Sequence, residues 1–280
     1  VVKKLKDITV HFTLGVVSYL NGLPLYRTLE VDHPEQFTCI IKPPSQLVPM
    51  LHAGEVDTAQ IPIVGYLRGV GEALVPECAI ACDGAVRSVK LFSRVPLGQV
   101  KRVAVDVSSN TSVALLRIVL ADRYGLKPEF TDHKPSLEEM LAQNDAALII
   151  GDSCLEQEPM NVAVTLDLGA EWKALTGLPF VFAAWVTRRG LPNAAELASA
   201  LIEAKREGLK RIDWIAQTAR DGTALSVDEI KRYLTENVVF DFTPRHLQGL
   251  REFARRCRNH GLVEGEREIE FVEVRGSKGK

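Results

Sequence analysis

The sequence predicts an α/β protein of two lobes, each a mixed sheet flanked by helices, with a ligand cleft between the lobes. Three observations predict it. First, short β-branched runs alternate with amphipathic stretches from Thr9 to Val186, the grammar of βαβ units and parallel strands. Second, the pattern repeats. In the first half, strand and helix lead to Gly54-Glu-Val-Asp-Thr-Ala-Gln-Ile-Pro; in the second they lead to Gln143-Asn-Asp-Ala-Ala-Leu-Ile-Ile-Gly. In each, an acidic residue shortly precedes Ala and an apolar run that ends in a small or turn-forming residue. Third, the last third of the chain is helical and can return to pack on the first lobe. The expected bounds are 1–95 plus 190–280 for one lobe and 96–189 for the other, with crossings near 94–101 and 187–192.

Taken in order, Val10, Phe12, Leu14 and Val16 alternate with their neighbours and predict a strand over Thr9 to Val17. Gly22 and Pro24 stop it and turn the chain into a short helix around Leu23 to Leu29. Phe37 to Lys42 is a second strand, ended by Pro43-Pro44. Ser45 is expected to cap a helix over Gln46 to Ala53, with Pro49 in its first turn and Gly54 as its stop. A buried strand follows at Asp57 to Val64, then strands at Glu77 to Ala81 and Ser88 to Ser93, and a linker at Pro96 to Gln99. Arg102 to Asp106 is a clear strand, and an amphipathic helix covers Val113 to Tyr124 before Gly125. Glu129 to Thr131 is a short strand. Ser136 and Glu139 form a capping box, as do Ser226 and Glu229. Further strands are Ala146 to Ile150, Val162 to Asp167 and Val181 to Val186. Asn193 to Ala219 holds one long or two shorter helices, Thr243-Pro244 opens a helix to Asn259, and Glu268 to Val274 reads as a last strand. This is the layout of a type 2 periplasmic-binding-protein-like fold.

The totals exclude several classes. The chain has 280 residues, 46% hydrophobic and 25% charged, with a formal net charge of -2. Nothing in that charge calls for nucleic acid or an acidic membrane surface, and no run is long and apolar enough for a membrane span. The five cysteines (Cys39, Cys78, Cys82, Cys154 and Cys257) are odd in number and irregular in spacing, which argues against a disulfide framework or a zinc site and fits a reducing cytoplasm. The opening VVKKLKDITVHF has a positive start but no apolar signal core. The expectation is a cytoplasmic location, a small-molecule ligand and no metal. A homodimer is one expectation for its assembly.

The candidate site begins at Gly15 to Leu25, GVVSYLNGLPL. A parallel strand exits here, and ligands of open α/β sheets bind at that edge. Ser18, Tyr19 and Asn21 are therefore either a pocket wall or a helix cap, since caps and ligand contacts use the same groups. Ser108-Ser-Asn-Thr-Ser112 lies between a strand and a helix. Its Ser109, Asn110, Thr111 and Ser112 offer hydroxyls and helix N-terminal N–H groups to a carboxylate or phosphate, where a cap alone needs one donor. Arg87, in Gly84-Ala-Val-Arg87-Ser88, can pair bidentately with a carboxylate or be a surface arginine. Gly151-Asp152 ends a strand, and Asp152 either orients a ligand hydroxyl or caps the next segment. No Gly-rich phosphate loop, nucleophile elbow or zinc helix occurs, and the histidines are scattered. Such a site binds, orients and stabilises developing charge by hydrogen bonds.

Ser18-Tyr-Leu-Asn-Gly-Leu-Pro-Leu25, Arg87-Ser-Val89, Ser109-Asn-Thr-Ser112, Leu148-Ile-Ile-Gly-Asp152 and the Asp167 to Trp185 stretch with its Trp-x-x-x-Thr-Gly-Leu-Pro-Phe resemble chorismate dehydratase of the futalosine route to menaquinone. The resemblance runs from the first strand to Trp185. It implies loss of water from chorismate to give 3-[(1-carboxyvinyl)oxy]benzoate, with no metal or organic cofactor. It gives Asn21 and Ser88 the weight of catalytic residues, and it makes Ser18, Tyr19, Arg87, Ser109 to Ser112, Gly151, Asp152 and Phe180 the expected substrate contacts. Thr111 and Ser112 suit one substrate carboxylate; Arg87 or backbone N–H groups of the other lobe suit the second. A substrate carboxylate is the expected base. Three rival readings remain at this point. They are a solute-binding protein, a relative of the pathway's 1,4-dihydroxy-6-naphthoate synthase that relies on a histidine (His133 is in the right third), and an inactive sensor of an aromatic acid.

Overall fold

The computed structural model describes residues 10–106, 110–157 and 162–274. Its strands are β1 (Phe12–Val17), β2 (Phe37–Lys42), β3 (Thr58–Pro62), β4 (Leu74–Cys82), β5 (Val89–Ser93), β6 (Arg102–Asp106), β7 (Glu129–His133), β8 (Ala146–Ile150), β9 (Val164–Asp167) and β10 (Phe180–Thr187). Its helices are α1 (Arg27–Asp32), α2 (Pro44–Ala53), α3 (Ile63–Leu67), α4 (Asn110–Tyr124), α5 (Leu137–Gln143), α6 (Asp152–Glu156), α7 (Leu168–Thr176), α8 (Ala194–Lys210), α9 (Ile212–Ala219), α10 (Val227–Arg232) and α11 (Pro244–Asn259). A 3-10 turn covers Leu20–Leu25 and a π-helical turn covers Tyr233–Asn237.

Two five-stranded sheets result, ordered β2-β1-β3-β10-β4 and β7-β6-β8-β5-β9. In the first, β1 is parallel to β2 and β3, and β10 is antiparallel to β3 and β4. In the second, β6 is parallel to β7 and β8, and β5 is antiparallel to β8 and β9. The repeat seen in the sequence is thus a repeat of topology, with Gly54 to Pro62 and Gln143 to Gly151 ending in the equivalent strands β3 and β8. Both strands are buried along their whole length, as expected where both faces of a sheet are covered.

The crossings fall elsewhere than expected. β5 belongs to the second sheet and β10 to the first, so the chain passes between sheets at 83–88 and 168–179. The bounds 1–95, 96–189 and 190–280 therefore misassign one strand to each side. Pro96 to Gln99 reads as a linker by composition, but it holds a 3-10 turn, Leu97–Gln99, between β5 and β6 of the second lobe. Three local expectations also need correcting. Helix α2 starts at Pro44, its N-cap is Pro43 without a side-chain bond, and Pro49 lies in its interior. Its stop is as expected, with Gly54 in the left-handed region at φ 75°. Glu268 to Val274 contributes an isolated bridge, Phe271 to Leu74, rather than a strand. The helical third does return to the first lobe, where α8 packs on the Leu20–Leu25 turn, on β4 and on α1.

Candidate active site

The turn after β1 is held from three sides. Gly22 N–H donates to the Tyr19 carbonyl at 3.0 Å. The buried Gln60 of β3 accepts from Val17 N–H at 3.0 Å and donates to the Gly22 carbonyl at 3.3 Å, so one amide pins both ends of the turn. Behind it, Gly208 of α8 sits so close that a Cβ there would lie 2.0 Å from the Pro24 carbonyl oxygen. Only a residue without a side chain allows helix and turn to meet backbone to backbone.

Asn21 thereby faces a narrow cleft between the lobes, with about 70 Å³ of interior space. The first lobe contributes Val17, Tyr19, Asn21, Pro44 and Pro62. The second contributes Thr111, Ser112, Ile150 and Gly151, and Val86, Ser88 and Val89 come from the first crossing and the strand it enters. None of the described residues lining it is charged, so an anionic ligand here would be met by hydroxyls, amides and backbone N–H groups.

Ser88 is aimed by its neighbours. Arg87 has φ 64°, a conformation that costs a non-glycine residue energy and persists only where the surroundings enforce it. Asp167 enforces it by accepting from Val86 N–H at 3.0 Å and Arg87 N–H at 2.7 Å, while also capping α7 through Gly169 and Ala170 N–H. The Cys154 thiol donates to the Arg87 carbonyl at 3.4 Å; burial pushes that thiol up to about 12, so it stays protonated. Arg87 thus serves through its backbone. Its guanidinium does not line the cleft.

Across the cleft, Thr111 and Ser112 are buried in the first turn of α4, where the helix dipole and unpaired N–H groups favour an anion. The Thr111 hydroxyl accepts from Val64 N–H at 3.2 Å, a bond that ties α4 to α3 of the first lobe. Gly151 has φ 69° and ψ -154°, a region essentially reserved for glycine, and a Cβ there would lie 2.6 Å from the Tyr19 ring. The next residue, Asp152, accepts from Leu20 N–H at 3.1 Å with each carboxylate oxygen. Burial pushes its carboxyl up to about 6 against the opposing effect of that bond. Asp152 is therefore a latch between lobes rather than a ligand contact.

Of the other expected contacts, Ser18 is exposed outside the cleft, and Asn110 is exposed at the start of α4. Ser109 lies outside the described residues. Phe180 is packed in the core against Trp172, Phe182 and Phe253, and Phe182 lines the cleft in its place. A register shift of β10 against β4 between Val181 and Ala183 re-aims Phe182, which simple alternation could not reveal. His133 is held by Asn144 on β7 and does not line the cleft. Among the described residues no His, Cys, Asp and Glu group is placed to hold a metal.

Sequence reading missed Tyr233. It is buried in the π-helical turn, accepts from Asn21 Nδ2 at 3.1 Å and donates to Ser88 Oγ at 2.8 Å. Burial raises its hydroxyl well above the ordinary tyrosine range, so it remains a donor. No spacing marks it, because it comes from a helix 212 positions after Asn21 in the chain. Asp167 was also missed as a support, although it was part of the stretch that carried the resemblance.

Two like sheets that exchange a strand around a mainly apolar cleft carrying a few hydroxyl and amide groups define a two-lobed protein of the periplasmic-binding-protein fold class. The fold agrees with solved structures. A protein from Archaeoglobus fulgidus superposes with a TM-score of 0.71 at 15% identity, over 90% of this chain and 98% of its own. The periplasmic aliphatic sulphonate binding protein of Escherichia coli gives 0.65 at 15% identity, over 94% and 96%. Residues 12–259 match the family model described as menaquinone biosynthesis. The chorismate dehydratase of Thermus thermophilus is 33% identical over 223 residues, 74% of this chain and 80% of that protein. That of Campylobacter jejuni is 27% identical over 254 residues, 89% of this chain and 99% of that protein. The chain belongs to the chorismate dehydratase family of menaquinone biosynthesis.

Proposed function

We propose that this chain dehydrates chorismate to 3-[(1-carboxyvinyl)oxy]benzoate as a lyase that uses no metal or organic cofactor. The observation that carries the reading is the convergence of Asn21 and Ser88 on one cleft that also receives the first turn of α4. Family membership names the substrate; the cleft supplies groups suited to it.

In this reaction a ring C–H gives its electron pair to the forming double bond, the neighbouring C–O bond breaks, and the hydroxyl leaves with the abstracted proton as water. The ring becomes aromatic, which drives the step. The protein then has to position the ring, polarise the leaving hydroxyl and exclude bulk water. Asn21 orients the substrate and assists the leaving group, and Ser88 supports it. Thr111, Ser112 and the N–H groups of α4 take one carboxylate. Because no charged side chain lines the cleft among the described residues, a substrate carboxylate is the base. His133 lies away from the cleft, which disfavours chemistry of the histidine-dependent sister enzyme.

We read the location as cytoplasmic, on the biosynthetic relatives and five unpaired cysteines; no helix of the described residues is long and apolar enough to cross a membrane. Replacing Asn21 tests the chemistry. Asn21→Ala should lower the single-turnover rate by about a hundredfold, as for loss of a transition-state donor, with chorismate binding changed by less than about threefold. An unchanged chemical step would remove Asn21 from the mechanism.

A further inference from the structure

Ser88, Tyr233 and Asn21 form a directional chain. Asn21 Nδ2 donates to Tyr233 Oη, and Tyr233 Oη donates to Ser88 Oγ. A serine hydroxyl has one proton and two lone pairs. With one lone pair taken by Tyr233, and no acceptor for its own proton among the described residues, Ser88 has that proton free for the cleft it lines. In an isolated serine the hydroxyl rotates and the direction of the proton is not fixed. Here a neighbour that is itself a committed donor fixes it, and hydrogen bonds in series strengthen one another in a low-dielectric site. Tyr233 does not line the cleft; it works through the two residues that do.

The way Tyr233 arrives is also informative. Helix α10 ends at Arg232, and the chain continues through a π-helical turn over Tyr233–Asn237 before leaving as extended backbone. Such turns are uncommon and cluster at functional sites, because the wider turn shifts side chains off the regular helical register. Tyr233 is 1% exposed, and Ser88 is also 1% exposed. The two hydroxyls therefore have few alternatives to each other.

We infer that Tyr233 is a positioning residue of the dehydration, holding Ser88 with its hydroxyl proton directed at the leaving hydroxyl of the substrate and fixing the amide of Asn21 beside it. The inference rests on the proposed dehydration of chorismate. No proton leaves Tyr233. The hydrogen bond from Ser88 stabilises charge growing on the departing oxygen, and the proton that completes the water comes from the ring carbon by way of the base.

Tyr233→Phe tests this, since it keeps the ring that fills the core and removes only the hydroxyl. The wild type, Tyr233→Phe, Ser88→Ala and the double variant are compared for kcat, KM and thermal unfolding. In the Tyr233→Phe variant, kcat should fall on the order of tenfold or more, less than the loss of a direct donor. KM should stay within about twofold, and the unfolding transition should remain cooperative. The double variant should lose less than the product of the two single losses, because the residues act as one unit. Wild-type kcat in Tyr233→Phe, or single losses that simply multiply, would overturn the role while leaving the dehydratase reading intact. A wild-type chain that forms no product from chorismate would overturn the reading and this role together.

Discussion

Asn21, Ser88 and Gly151 show how much of the site depends on single atoms. Gly151→Ala places a methyl group against the Tyr19 ring and forces the backbone out of a glycine-only region, at a cost of about 1–3 kcal/mol. It should lower the melting temperature and weaken ligand binding together, measurable by thermal unfolding and calorimetry; an unchanged protein would mean that Tyr19 moves freely. Asp152 gives a pH signature. Its carboxyl is raised from 3.8 to about 6 by burial, so the folded state holds its proton where the unfolded state has lost it. The associated stability is present in full below about pH 4 and is lost as the pH rises through about 6, an effect of about 3 kcal/mol at most. Asp152→Asn should flatten that part of the stability curve, followed by urea unfolding across pH 3.5 to 7; an identical slope in the variant would place the titration elsewhere. At this scale Asn21, Thr111 and Ser112 were legible as cleft residues because strand exits and helix starts announce themselves in sequence. Arg87 read as either a carboxylate partner or a surface arginine, and neither reading pointed to the role of its backbone; Tyr233 had no local mark.

Among the elements, the crossing at 83–88 and the turn at Leu20–Leu25 matter most, since each presents one polar side chain to the cleft. Asp167 supports the first crossing by accepting from four backbone N–H groups in two segments. In Asp167→Asn an amide nitrogen replaces one acceptor, which leaves a backbone N–H of the crossing facing a donor. A loss of about 1–2 kcal/mol in urea unfolding is expected, with a lower kcat from a displaced Ser88. Retention of both would show that the crossing holds its shape by packing alone. Gly208→Ala attacks the other support. A methyl group aimed at the Pro24 carbonyl must push α8 and the turn apart, so stability and turnover should fall together. Every strand from β1 to β10 was readable from periodicity, as were the longer helices, but the short helices α3 and α6 and the helix α7 were not. Pairing was not, because Val89 to Ser93 carries the same apolar pattern whichever sheet receives it. The register shift that swaps Phe182 for Phe180 at the cleft is a property of pairing and could not be read from one strand.

The whole molecule is two copies of one sheet topology that exchange a strand and meet over a mainly apolar cleft with a few hydrogen-bonding groups. The repeat was visible in the sequence, as was the return of the helical tail to the first lobe; the direct path from β4 into the second sheet was not. Hydrogen bonds span the cleft in the described conformation, from Leu20 to Asp152 and from Val64 to Thr111. A ligand seated between them binds the folded state alone and should therefore stabilise it, with the melting temperature rising with chorismate concentration as mass action requires. The central claim is that this closed, uncharged cleft performs the dehydration with its own hydrogen-bonding groups. Incubating the purified chain, freed of metal by chelation and given no cofactor, with chorismate and following the products by chromatography tests it most directly. The account predicts stoichiometric conversion to 3-[(1-carboxyvinyl)oxy]benzoate; tight binding of chorismate without that product would contradict it.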